Sequence, residues 1–314
     1  MCGIVGLHLR NPELYPRLGE LLTGMLCEMQ DRGADSAGVA VYGDPRWSPA
    51  GSVAVSFVPD AASTALTSGT SAHEAAATLT AALGSPVEVV DAGPTLVAHA
   101  VASPTTAGAS DVVALRAAVV ASYPEALVTG FGDDVAVLKG VGHPRDLATA
   151  FGLEQAQGWQ GVGHTRMATE SAVTAGGCHP YAVGPDQCLV HNGSFSNHAS
   201  IRRDLRAKGV AFDSENDTEV GARFVADRLE AGYDVETALK ELLVTFDGFY
   251  TLLVSNSRSF AVVRDAIACK PAIIAETDDW VAMASEYRAL VGLPGVAAAR
   301  IYEPEPERIY AWTR

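Results

Sequence analysis

Apolar residues recur at three- and four-residue intervals through Leu18, Leu21, Leu22, Met25, Leu26 and Met29, which is the spacing of an amphipathic helix with one buried face. Ahead of it, Gly3-Ile4-Val5-Gly6-Leu7 reads as a strand. The helix ends before Asp31-Arg32-Gly33, and a small-residue turn, Ala34-Asp35-Ser36-Ala37-Gly38, feeds a second strand at Val39-Ala40-Val41-Tyr42. These two strands are expected to lie side by side. From Gly43 to Ala150 the chain turns alanine-rich and alternates in type: strand 53–58, helix 72–83, strands 87–90 and 95–101, helix 112–121, then a strand or hairpin over 127–138 broken at 130–134. That order, βαββαβ, is the split-βαβ pattern of small ferredoxin-like modules, so residues 43–150 are expected to form an inserted α/β lobe.

Beyond the lobe, Gly161-Val162-Gly163-His164 and residues 187–190 are strand-like, the second running into His191-Asn192-Gly193. A helix shaped by Ile201, Leu205 and Lys208 follows, then a longer one through Val220, Phe224, Val225 and Leu229, with Asp217 or Thr218 as its N-cap. Residues 235–243 read as a further helix, and 248–255, 260–264, 272–275 and 280–284 as strands. Residues 309–312 are placed to close a sheet edge after the proline-broken Glu303-Pro304-Glu305-Pro306. Many strands with helices between them suit two sheets flanked by helices.

Composition narrows the function. With 314 residues, 48% of them hydrophobic, the chain can bury one large core, or a core and a smaller lobe. A net charge of −15 repels phosphate backbones and anionic lipid, so neither nucleic acid nor a membrane is an expected partner. The start does not resemble a signal peptide and no apolar run reaches the length of a membrane span, so the expected location is cytoplasmic. The five cysteines, Cys2, Cys27, Cys178, Cys188 and Cys269, include no Cys-x-x-Cys pair. That argues against a disulfide framework, a zinc knuckle or an iron–sulfur cluster, and places any redox cofactor on another chain.

Cys2 becomes the first residue once Met1 is trimmed. It then carries both a thiol and an α-amine, and a neutral amine titrating near ~7.7–8.0 can take the thiol proton directly or through a water, without a histidine partner. The structural alternative is a small buried hydrophobe opening a strand.

Cys2-Gly3-Ile4-Val5-Gly6, Asp31-Arg32-Gly33 with Asp35-Ser36-Ala37-Gly38, Gly163-His164-Thr165-Arg166, His191-Asn192-Gly193 and Asn216-Asp217-Thr218-Glu219 occur in that order. Together they resemble a class II glutamine amidotransferase, an N-terminal-nucleophile hydrolase. The resemblance implies a four-layer αββα sandwich, interrupted here by the lobe, with Cys2 as nucleophile. Asn192 and Gly193 would donate hydrogen bonds to the tetrahedral oxyanion, the glycine allowing close approach, although an isolated Asn-Gly reads equally as a hairpin turn. Arg166 suits the α-carboxylate of a glutamine substrate and Asp217 its α-ammonium, with Thr169 orienting the carboxylate. As local features alone they read as a surface ion pair and a helix cap. Arg32 is read as a supporting residue behind the site. Met167 and Glu170-Ser171 depart from the family pattern, which commonly has an aromatic residue and a His-Gly there.

Cys178-His179 is read as structural, because the amine makes a second base redundant, and Cys27, Cys188 and Cys269 as residues in apolar surroundings. Arg264-Asp265, Cys269-Lys270-Pro271-Ala272 and Ala284-Ser285-Glu286 extend the resemblance. With the insertion they make the chain most similar to the separate amidotransferase subunits of glutamate-synthase-like complexes such as N-methylglutamate synthase. The implied partners are synthase subunits carrying FMN and an iron–sulfur cluster, with no cofactor or metal on this chain. The other readings are a stand-alone amidohydrolase acting on a different γ-glutamyl or acyl amide, and an idle scaffold subunit.

Overall fold

The computed structural model describes residues 2–103, 109–167 and 173–314, the side chain of Ala109 excepted. The first strand, β1 (Gly3–Leu9), is buried throughout, and alternation sends its residues to two different layers. Val5, Leu7 and Leu9 face α1 (Leu18–Glu28), whose Leu18, Leu21, Leu22, Met25 and Leu26 form the expected buried stripe. Ile4 faces the other way, into an apolar layer between two sheets. Gly6 shares that side because the sheets approach closely there: a Cβ would lie 2.4 Å from the Leu253 side chain.

The chain continues through β2 (Ser36–Tyr42), β3 (Ser52–Val58), α2 (Ala72–Leu83), β4 (Glu88–Ala92), β5 (Thr95–Val101), α3 (Ala109–Ser122), β6 (Leu127–Gly132), β7 (Val135–Val141) and α4 (Pro144–Ala150). Then come β8 (Gln160–Arg166), β9 (Cys188–Phe195), α5 (His198–Ala207), α6 (Asp217–Glu230), α7 (Val235–Thr245), β10 (Gly248–Ser255), β11 (Ser259–Arg264), β12 (Ile273–Glu276), β13 (Trp280–Ala284), β14 (Arg300–Tyr302) and β15 (Tyr310–Thr313). Among the described residues the strands form three sheets, ordered β14-β12-β13-β1-β8-β2-β7, β15-β11-β10-β9 and β4-β5-β3-β6. The first two stack over a core of Ile4, Val162, Val190, Leu253, Phe260 and Met283. α1 and α4 cover the outer face of the larger sheet, and α5, α6 and α7 that of the smaller. This is the four-layer αββα sandwich.

The inserted sheet is antiparallel throughout and carries α2 and α3 on one face, with Val53, Val55, Phe57, Leu79, Leu96 and Leu115 in its core. Its strand order is that of a ferredoxin-like module. α2 is bounded as its sequence suggests, by Ser71 Oγ accepting from Glu74 N at 3.2 Å and by Gly84 in the left-handed region. The expected end of the lobe at Ala150 is corrected. β7 joins the large sheet beside β2, and α4 packs on α1, so the separate sheet ends with β6 at Gly132. β7 is an edge strand of the large sheet, and hydroxyls of the inserted sheet meet its backbone: Val137 N donates to Ser56 Oγ (3.0 Å), Thr129 Oγ1 donates to Val137 O (2.6 Å), and Lys139 N donates to Thr95 Oγ1 (3.0 Å). The lobe thereby covers an edge that would otherwise be open to pairing.

Three smaller expectations change. β1 and β2 are not neighbours, because β8 lies between them and pairs with both. The N-cap of α6 is Asn216, whose Oδ1 accepts from Thr218 N at 2.8 Å. Cys269 is exposed, whereas Cys27 and Cys188 are buried. No helix among the described residues is long and apolar enough to cross a membrane.

Candidate active site

Cys2 stands at the open end of β1, and the β1–β8 register, Ile4 opposite His164 and Gly3 opposite Thr165, brings the Arg166 end of β8 alongside it. Ile4, His164 and, by the same alternation, Arg166 project toward the smaller sheet, where β9 delivers Asn192. The Cys2 carbonyl accepts from Arg32 Nε at 2.9 Å and from Asn192 Nδ2 at 3.1 Å. Arg32 also binds Glu286 at 2.7 Å, and Glu286 pairs with Arg288, which reaches Asp31. Ser285 Oγ accepts from Ile4 N at 2.9 Å and from Asn192 Nδ2 at 3.3 Å. Arg32 and Asn192 thus hold the Cys2 carbonyl, and the turn after β13 backs both of them.

The carbonyl of Cys2 can only accept, so the amide of Asn192 must turn its NH2 toward it. Its Oδ1 then faces His164 Nε2, at 3.2 Å, and that nitrogen must carry a proton. Both Asn192 hydrogens are engaged in the free chain, so an oxyanion would draw one from its present acceptor. Gly193 has φ +132°, and a Cβ there would sit 2.0 Å from Phe249 O, a place for glycine alone. Burial pushes the Cys2 thiol up, but hydrogen bonding and charge from His164, with the Met167 backbone, outweigh it and bring the pKa from 9.0 down to about 7.

Arg166 and Asp217 line one cavity of about 570 Å³, together with Ser194, His198, Asp213 and Glu215. Among the described residues its wall stops at Ser194, one residue past Gly193, so it adjoins Cys2 and Asn192 without being lined by them. Asp217 is held by Phe195 N, which donates to its Oδ2 at 2.8 Å. Cys2, Asn192, Gly193 and Arg32 therefore converge, Arg166 and Asp217 share the adjoining cavity, and Thr169 lies outside the described residues. Among the described residues no cluster of three or more histidine, cysteine or acidic side chains is disposed to hold a metal.

A family model for a glutamine amidotransferase domain matches residues 164–292. A glutamine amidotransferase-like protein, GlxB, of Rhizobium meliloti (strain 1021) is 46% identical over 312 residues, covering 99% of this chain and 98% of that protein. This chain belongs to the glutamine amidotransferase family of enzymes. A putative glutamine amidotransferase of Methanothermobacter thermautotrophicus is 29% identical over 314 residues, 99% of each chain. A solved glutamine phosphoribosylpyrophosphate amidotransferase from B. subtilis shares the fold, with a TM-score of 0.59 at 16% identity over 99% of this chain; this chain spans 47% of that one.

For this family member the sequence reading gave no role to His164 and counted Ser285-Glu286 only among the residues that extend the resemblance. Nothing local signals that Ser285 and Glu286 reach Ile4 and Arg32, because the contacts span more than 250 residues. Cys178 and His179 do not form a pair. Cys178 Sγ donates to Thr174 O at 3.2 Å, while His179 Nδ1 accepts from His191 N at 3.2 Å and the ring stacks on His164 at 4.1 Å. His191 in turn bonds Thr218 Oγ1 at 2.9 Å and stacks on Phe195 at 4.4 Å.

Burial holds both His179 and His191 below the ordinary histidine pKa of 6.5. Their folded-state values are depressed, so the stability they contribute is complete above 6.5 and is lost as pH falls through the folded values, because the unfolded chain takes up protons first. Urea midpoints should therefore fall progressively below about pH 6.5, and replacing His191 by Gln should flatten that dependence. Midpoints that stay level down to pH 5 in the unmodified chain would refute this.

Proposed function

We propose that this chain hydrolyses the side-chain amide of glutamine, or of an N-methylated glutamine, through a thioester on Cys2. The released ammonia or methylamine passes to a glutamate-synthase-like partner, closest in kind to N-methylglutamate synthase, whose subunits carry FMN and an iron–sulfur cluster. The observation that carries the reading is the presence of Arg166 and Asp217, opposite charges lining one cavity, beside Cys2, whose thiol pKa is lowered and whose carbonyl accepts from Asn192. A cation and an anion so placed suit the two ends of an α-amino acid and leave its amide for the thiol.

In this reading the Cys2 sulfur attacks Cδ, and the Asn192 carboxamide and the Gly193 N–H receive the oxyanion. The α-ammonium of mature Cys2 protonates the departing nitrogen, and water then cleaves the γ-glutamyl thioester. Thr169 is assigned to the substrate carboxylate. A catalytic subunit that serves a separate acceptor enzyme would waste glutamine if it turned over freely, so full activity is expected only in the complex. An uncharged outward face on α3, with Val113, Ala114, Ala117, Val120 and Ala121 exposed in a chain of net charge −15, supports a protein contact on the lobe.

The test is turnover of glutamine, N-methylglutamine and a panel of other γ-glutamyl amides by the purified chain, alone and with its co-purifying subunits, with Cys2→Ser as control. Glutamine or its N-methyl derivative should lead the panel, and turnover should rise in the complex. Equal turnover in both states would remove the gating. Preference for an unrelated amide would favour a stand-alone amidohydrolase, and no turnover in either state would favour a scaffold.

A further inference from the structure

β9 is an edge strand of the smaller sheet, and at its last residue, Phe195, two side chains meet the backbone. Asp217 Oδ2 accepts from Phe195 N at 2.8 Å, and His198 Nδ1 lies 2.7 Å from Phe195 O. A carbonyl can only accept, so Nδ1 carries the proton and Nε2 of the neutral ring is left as an acceptor. Among the described residues Nε2 has no hydrogen-bond partner. The N–H and C=O of one residue thus fix a carboxylate and an imidazole in the wall of the cavity that also carries Arg166. We propose that His198 is a substrate-binding residue that sets specificity: its Nε2 accepts from the α-ammonium that Asp217 neutralises, so the site selects acids with a free α-amine over those that lack one. The inference rests on the reading of this cavity given above and adds to it a residue and a requirement.

The other acidic groups of the wall are already committed. Asp213 pairs with Arg223 at 2.7 Å, and Glu215 with Arg202 and Arg206. Asp217 keeps its charge for a ligand, because the side chain nearest it in charge, His191 at 4.0 Å, is held neutral by burial. Its oxygens are nevertheless both engaged, Oδ2 by Phe195 N and Oδ1 by Thr218 Oγ1 at 3.3 Å. An ammonium brings three N–H donors, and such a carboxylate is a poor match for all of them. A second acceptor without charge suits the site. Arg166 and Asp217 already match the two charges of an amino acid, and a further anion would leave one unpaired in the complex.

His198 also begins α5, and its bond to Phe195 O by itself only ties that helix to the strand. The two ring nitrogens separate these roles. Asparagine can stand in for Nδ1, keeping a donor for the Phe195 carbonyl, but does not extend to Nε2. Glutamine reaches the position of Nε2.

The test is calorimetric titration of the purified chain with L-glutamate, the unreactive product, and with glutarate, the same diacid without its α-amine. The unmodified chain should bind glutamate at least about tenfold tighter than glutarate. His198→Asn should weaken glutamate by about tenfold while leaving glutarate and the melting temperature unchanged, and His198→Gln should recover part of the loss. A folded His198→Asn that keeps the full preference overturns the proposal. Asp217→Asn tells that failure from failure of the parent reading: if it abolishes the preference while His198→Asn does not, the α-ammonium site stands without His198, and if the unmodified chain shows no preference, both fall. Should His198→Asn not fold, ¹⁵N spectra of the unmodified chain decide. Saturating glutamate, but not glutarate, should shift the Nε2 resonance of His198 while Nδ1 stays protonated, and a ring that answers both ligands alike overturns the assignment.

Discussion

A single residue ahead of Cys2, whether retained Met1 or a tag, should reduce glutamine hydrolysis to the background of Cys2→Ser. The reason is the nitrogen of Cys2. As a terminal amine it has a lone pair and titrates near neutrality; as a peptide nitrogen its lone pair is delocalised into the carbonyl and it can neither accept nor return a proton. The departing nitrogen would then have to leave as an amide anion or find its proton in bulk water. Loss of a positioned acid–base group alone costs ~10²–10⁴ in rate. Intact-mass analysis should show the active preparation lacking methionine. A fully active N-terminally extended chain would end this mechanism.

Replacing Asn192 by Ala should lower kcat by about 10²–10³ and leave KM within a few-fold, whereas Arg166→Lys and Asp217→Asn should chiefly raise KM. The split follows from where the residues lie. Asn192 bonds the Cys2 carbonyl at 3.1 Å, touches Ser285 at 3.3 Å and holds His164 at 3.2 Å, all at the reacting end. Arg166 and Asp217 line the adjoining cavity, where the unreactive end of an amino acid would be gripped equally in ground state and transition state. Lysine keeps the positive charge but loses the planar fork, and asparagine keeps the shape but loses the charge. A melting curve for Asn192→Ala is part of the measurement, because three hydrogen bonds leave with the side chain. Unchanged kcat in a folded Asn192→Ala would leave Asn192-Gly193 a structural part of β9 with no part in the reaction.

Local periodicity, legible within a dozen residues, determined the elements themselves. The helix over 72–83 and the strands over 95–101, 248–255 and 280–284 stand where hydrophobic spacing puts them, and the βαββαβ order of the insertion reappears as its sheet. That Cys2, Asn192, Gly193, Arg166 and Asp217 are candidates was legible too, because each belongs to a short motif that can be picked out without a fold, and the structure brings Cys2 and Asn192 together and sets Arg166 and Asp217 in one cavity. Neighbourhood was not legible. β1 and β2 follow one another around a helix yet are parted by β8, since a strand from residue 160 onward satisfies both of their edges. Residues 127–138 read as a strand or hairpin broken at 130–134, and its two halves, β6 and β7, enter different sheets. They turn at Asp133-Asp134, where Asp186 accepts the N–H groups of residues 133, 134 and 135 at 2.8–3.0 Å from some 50 residues away. The sequence likewise offered no reason to set Ser285 and Glu286 against Ile4 and Arg32, or His164 against Asn192. Those contacts come from strand register between distant segments. Register is set by which faces can be buried together and which backbone edges can be paired, properties of the assembled sheets that no window of sequence contains.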